Sequence, residues 1–101
     1  MTIPVSYDPA KRRQTLHERG LDFADAVRVF GGRTLQLEDT RRDYGERRFV
    51  TVGRLRGRLV VIVWTPRGDA RHIISMRKGN GREEARFAQR IEESEGPPSP
   101  S

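Results

Sequence analysis

Two arginines stand where apolar strand patterns run out. In "RFVTVGRL" (48–55), alternation puts Arg48, Val50, Val52 and Arg54 on one face, with Arg54 at the turn end. In "RHIISMRKGNGREE" (71–84), it puts Arg71, Ile73, Ser75 and Arg77 on one face and His72, Ile74 and Met76 on the other. Ile73 implies that the first of these faces is at least half covered, with Arg77 emerging at its margin. A guanidinium is planar, permanently charged and able to donate two parallel hydrogen bonds, so arginines at both margins of a sheet can form a rim for phosphate or carboxylate. The competing reading is ordinary ion pairing with the chain's 14 acids. Glu46, in "YGERRF", is a carboxylate near the start of the same strand pattern as Arg54. Alone it reads as a solvated loop residue; beside arginines it can serve as a general base, which arginine itself cannot.

Other chemistries find little support. His17 and His72 lie on separate elements and there is no cysteine, so no spacing fixes a metal site and no disulfide framework exists. His17 reads as an exposed helix residue, and His72 as a strand residue pointing away from Ile73 and Ser75. Ser75 has no nucleophile-elbow context. "GNG" (79–81) exposes backbone N–H groups at a helix start, but nothing in it resembles a phosphate loop of the Walker type. No cofactor is implied.

The balance of 20 Lys+Arg against 14 Asp+Glu gives a net charge of +6, and only Lys11 and Lys78 are lysines. Phosphate-rich partners come first, an acidic protein second. No apolar run approaches the ~18–20 residues needed to span a bilayer, and "MTIPVSYDPAKRRQ" lacks the apolar stretch of a signal peptide. The chain therefore reads as cytoplasmic, without a membrane partner.

These side chains need a scaffold, and 101 residues suffice for one modest core. "TIPVSY" alternates and tolerates Pro4 only at a sheet edge. "DPAKRRQTLHERG" has Asp8 as N-cap, Pro9 in the first turn and Gly20 as the stop, and "LDFADAVRVFGG" follows as a second helix capped by Asp22, the two forming a hairpin. "RTLQLED" and "RRFVTVGRL" read as neighbouring strands across the charged loop "TRRDYGE", "RLVVIVW" as a central strand, and "RHIISMR" as the last, with hairpin turns at "LRGRL" and "TPRGD". Asn80 with Glu83 forms a capping box, after which Phe87, Ala88 and Ile91 make one apolar stripe. The fold class is α+β, in the order β-α-α-β-β-β-β-α, with helices packed on an antiparallel sheet. Residues 1–93 form a single domain, and 94–101 a Pro/Ser-rich tail without structure.

In order and spacing, "YDPAK", "GLDFADA" with the following "VF", "GERRFVTVGR", "LVVIVWTPRG" and "IISMRK" resemble the BrnT-type toxins of bacterial type II toxin–antitoxin systems, over roughly residues 3–91. The resemblance implies a RelE-like fold and a ribonuclease that cuts RNA and halts translation and growth. It also implies neutralisation by a BrnA-type antitoxin carrying a ribbon–helix–helix DNA-binding domain, in a heterotetramer that reaches operator DNA only through the antitoxin. The matching residues are Lys11, Glu46, Arg54, Arg67, Arg77 and Glu83. They imply Arg77 and Arg54 as the phosphate clamp, Glu46 as proton acceptor, Lys11 and Arg67 as RNA-positioning charges, and Glu83 as a helix cap. No metal is needed for attack of an RNA 2′-hydroxyl on its adjacent phosphate. Arg19 stands where the pattern commonly shows a histidine, Tyr7 where it shows tryptophan, and Phe87 where it shows tyrosine. A module that binds nucleic acid or an acidic antitoxin without cutting, or a toxin that has lost activity, is the alternative.

Overall fold

A computed structural model describes residues 3–94 of the chain. The elements follow the expected order: β1 (Val5–Tyr7), α1 (Pro9–Arg19), a 3₁₀ turn (Phe23–Asp25) running into α2 (Ala26–Phe30), β2 (Leu35–Glu38), β3 (Phe49–Leu55), β4 (Arg58–Arg67), β5 (Ala70–Lys78) and α3 (Gly81–Glu93). The Asp8 carboxylate accepts from the Ala10 N–H, Pro9 sits in the first turn of α1, and Gly20 closes it in a left-handed conformation. Asp22 caps the next element as expected, although that element opens as a 3₁₀ turn rather than a full helix; the same carboxylate accepts from Arg12 at 2.8 and 3.0 Å, which ties the helix hairpin together. Of the expected tail, Ser94 caps α3 through Ile91 O; the remainder lies outside the described residues. No described helix is long and apolar enough to cross a membrane.

The sheet order is β1-β5-β4-β3-β2, with β4 central and β1 at an edge, as its sequence demanded. The pairings β2–β3, β3–β4 and β4–β5 are antiparallel hairpins, the second closed by Arg56 and Gly57 with φ of 50° and 81°. One pairing differs from a purely antiparallel sheet: β1 runs parallel to β5, Val5 opposite Arg71 and Tyr7 opposite Ile73. The helices carry the chain from β1 to the far edge, and three hairpins bring β5 back beside β1 in the same direction.

A second difference lies inside β5. Val63 pairs with Ser75 and Trp64 with Ile73, so Ile74 is an extra residue, a β-bulge. Alternation predicted Ile73 on the face of Ser75 and Arg77; the bulge overturns this. Ile73 and Met76 both enter the core beneath α2, while His72, Ser75 and Arg77 share the opposite face with their partners Thr65, Val63 and Val61.

Each face has its own core. One packs Phe23, Ala26 and Val29 against Leu55, Val60, Ile62, Trp64, Ile73 and Met76. Trp64 anchors it, stacked on Phe49 at 4.9 Å, edge-on to Phe30 at 5.7 Å, and donating from Nε1 to Thr51 Oγ1 at 2.8 Å. On the other face α3 lays Ile91 and Phe87 over Val52, Leu59, Val61, Leu35 and Val50. The helix stripe read from the sequence is the side that makes this contact.

Gly53 of β3 lets α2 approach the sheet: a Cβ there would fall 2.7 Å from Val29 Cγ1 and 3.0 Å from Thr34 Cγ2. Val29 is fully buried and cannot swing away, so Gly53→Ala should destabilise the chain by about 1–3 kcal/mol. A urea titration checks this, with a lower midpoint at unchanged slope.

Candidate active site

The face that carries α3 brings together most of the chain's strand-borne arginines. Arg77 leaves β5 beside the first turn of α3, where Asn80 accepts from the Glu83 N–H and Glu83 Oε1 accepts from the Asn80 N–H at 3.0 Å. The same Glu83 carboxylate accepts from Arg77 Nη1 at 2.7 Å and Nη2 at 2.8 Å. A cap carboxylate thus fixes a guanidinium bidentately. Arg77, with the Asn80 N–H and against some desolvation, holds the Glu83 carboxyl down at about 2, and the Arg77 guanidinium is pushed up in turn.

Arg54, on β3 across β4 from Arg77, is held by a single carboxylate oxygen and a backbone carbonyl. Its Nη2 donates to Glu84 Oε1 at 2.7 Å and its Nη1 to Gly57 O at 3.2 Å. Both proposed clamp residues are therefore oriented by consecutive acids of one helical turn. Gly79, just before the cap, is needed for packing, since a Cβ there would fall 2.6 Å from Leu59 Cδ2.

Glu46 and Arg67 are in a different group. Glu46 lies 3.8 Å from Arg48 and 3.7 Å from Arg67, at the end of the sheet away from the β3–β4 turn. The structure does not join Glu46 to Arg54, because Arg48 and Arg54 sit at opposite ends of their strand. Lys11, from the first turns of α1, donates to Ile74 O at 2.5 Å, and Arg19, from the last, to Met76 O at 3.0 Å. Together they cover the edge of β5 beyond the reach of β1. Arg19 thereby has a structural task, and Phe87, without a hydroxyl, serves the apolar core under α3.

His72 belongs to this second group and was missed by sequence reasoning. Its Nδ1 lies 2.9 Å from Ser6 Oγ, a contact created by the parallel β1–β5 pairing. Burial first, then Arg67 and Lys11, push the imidazole below its ordinary range, opposed by Glu46 and Asp8. Strict alternation separates His72 from Ser75; the bulge places them on one face. The signal available in the sequence was one histidine in a strand flanked by basic residues, too common to carry weight.

The two groups face the same side. Thr65 and Val61, the partners of His72 and Arg77, are four residues apart on β4, which corresponds to about 13 Å along the strand. Arg77 and Arg54 mark one end of this track and Arg67, Lys11, Glu46 and His72 the other, with Ser75 and Val63 between. A basic track of that length fits a polyanionic backbone better than a single small anion.

The family model described as "Ribonuclease toxin, BrnT, of type II toxin-antitoxin system" matches residues 7–83, which run from the end of β1 to the cap of α3 and include Lys11, Glu46, Arg54, Arg67, Arg77 and Glu83. No curated relative matches the chain. With that match spanning more than half its length, the chain belongs to the BrnT family of type II toxin–antitoxin ribonuclease toxins.

Proposed function

We propose that this chain is a metal-independent endoribonuclease that cuts RNA across the track between Arg77 and Arg67, by attack of a 2′-hydroxyl on the adjacent phosphate. Arg77 and Arg54 hold the phosphate and stabilise the extra charge on its oxygens, and Lys11 and Arg67 position the flanking backbone; Glu46, read from the sequence as proton acceptor, lies beside Arg48 and Arg67 at the far end of the track, too distant to take a proton at that phosphate. Cleavage would inhibit translation and growth in the cytoplasm until a BrnA-type antitoxin, with a ribbon–helix–helix domain, binds the toxin in a heterotetramer. That partnership rests on the family resemblance alone; operator DNA would be reached only through the antitoxin.

One observation carries the catalytic reading: Arg77 is held bidentately by Glu83 at the margin of an arginine-lined face, with its side chain 45% exposed. Preorganised donors of this kind stabilise developing charge without reorganising as it forms. The same ion pairs favour a second reading, a module that binds without cutting, because guanidinium groups already matched to carboxylates have fewer N–H groups left for phosphate.

Purified protein incubated with RNA in chelator separates the two. Defined cleavage products are expected; retardation without cleavage, weakening steeply with salt, supports the binding module. Arg77→Ala should lower the cleavage rate by roughly 10²–10³-fold while circular dichroism stays parental, and Arg77→Lys should recover little of it, since a point charge cannot replace the fork.

Glu83→Gln tests how Arg77 is held. The folded-state carboxyl is depressed from 4.5 to about 2, so its contribution to stability is present above pH 4.5 and lost as pH falls toward 2. The wild type should exceed the variant by up to about 1 kcal/mol at pH 7, after solvent screening. Urea midpoints at descending pH should converge over that window.

A further inference from the structure

We propose that the groove between α3 and β2, which opens beside Arg77, binds the base of the nucleotide whose phosphate Arg77 holds, and that Arg90 makes guanine the preferred base. This rests on the ribonuclease reading and adds to it a feature of the substrate.

The groove starts at Arg77. Arg77, Val61, Val52 and Leu35 are successive cross-strand partners over β5, β4, β3 and β2, so an apolar row leads from the guanidinium to the sheet edge. Leu37 and Val50 widen this floor, and Leu37 is 65% exposed, beyond the cover of α3. The wall is α3 itself: Glu83, Phe87 and Arg90 fall at i, i+4 and i+7 and line one side. The space between holds about 210 Å³, below the roughly 300–1,000 Å³ of pockets that take drug-sized ligands. It suits one planar ring system.

The lining selects a base. An apolar floor beside an aromatic side chain matches the π-face that unstacked RNA bases present. Phe87 is half-buried, and the Arg86 guanidinium lies 5.3 Å from its ring centroid, so the wall is aromatic and positively charged together. Arg77 and Arg54 are matched to Glu83 and Glu84. Arg90, exposed on the last turns of α3, has no acid partner among the described residues, which leaves its fork of donors open toward the groove. Guanine sets O6 and N7 side by side and meets such a fork with two hydrogen bonds, whereas adenine sets a donor beside N7.

Reach and size agree with this occupant. Glu83, which holds Arg77, and Arg90 are seven residues apart, about 10 Å along α3. One nucleotide spans that distance from its phosphate to the outer edge of its base when both arginines lean inward. The other occupant that an apolar floor with cationic ends admits is an acidic amphipathic helix. A helix is about 10–12 Å across with its side chains, too broad for a space of about 210 Å³.

The test is fluorescence anisotropy with labelled, 2′-O-methylated heptanucleotides, uridine throughout except for a central guanosine, adenosine or cytidine. Wild-type protein should bind the guanosine form at least about fivefold tighter than the other two. Arg90→Gln, an exposed change on α3, should remove that preference, and Arg90→Lys should not restore it, because a point charge lacks the fork. Phe87→Leu should weaken the guanosine form by about fivefold or more. Folded wild-type protein that binds the three forms alike overturns the proposal, as does a preference that survives in Arg90→Gln. Equal binding of the three, with a helical peptide of leucine and glutamate bound in an Arg90-dependent way, gives the groove to a protein partner and also overturns it. The unmethylated guanosine heptanucleotide distinguishes the two failures: guanosine preference without cutting overturns the ribonuclease reading alone, and cutting without base preference overturns the base pocket alone.

Discussion

One extra residue in β5 decides which side of the sheet its polar side chains face. Ile74, unmatched between the pairs Ile73–Trp64 and Ser75–Val63, lets two core residues three positions apart, Ile73 and Met76, enter the same apolar layer beneath α2. An unbroken strand would send Arg77 to the face of Ile73, into a layer that holds Phe23, Val29 and Trp64. Burying a guanidinium there without a partner would cost several kcal/mol. With the bulge, His72, Ser75 and Arg77 line the opposite face and the core remains apolar. Bulges recur beside active sites because they re-aim side chains in this way.

The second constraint is the cap of α3. A capping box is a local device for satisfying helix N–H groups, and here its Glu83 is also the partner of Arg77. The next residue, Glu84, holds Arg54. Docking α3 through Phe87 and Ile91 thus orients arginines from two strands. Packing, capping and charge placement act through one helical turn, so changes to the α3 face act on both arginines without touching either.

Much of this was legible in the sequence. Asp8, Pro9 and Gly20 mark one helix, and Asn80 with Glu83 marks another, because caps use short-range hydrogen bonds that only a few residue types can make. The run from Leu59 to Trp64 announced a central strand because both of its faces are covered. Arg54 and Arg77 were legible as arginines at the sheet margins, but alternation grouped Arg77 with Ile73, which the bulge turns to the other face. Long-range facts were not legible. The parallel β1–β5 contact brings Ser6 to His72, two residues 66 positions apart. The bulge answers the combined demand of both cores, which no period of two can display. Glu46 looked close to Arg54 along the chain, yet an extended strand carries them to opposite ends of the sheet.

The proposed RNA path runs along the α3 face of β4 and β5. It is tested most directly by titrating isotopically labelled protein with an RNA oligonucleotide whose 2′-hydroxyls are methylated, so that it binds without being cut, and following side-chain and amide resonances by NMR. Shifts concentrated at Arg67, His72, Ser75 and Arg77 are the predicted result. Shifts confined to Phe30, Trp64 and Arg71 on the other face, or none at an RNA concentration that saturates cleavage, would contradict it.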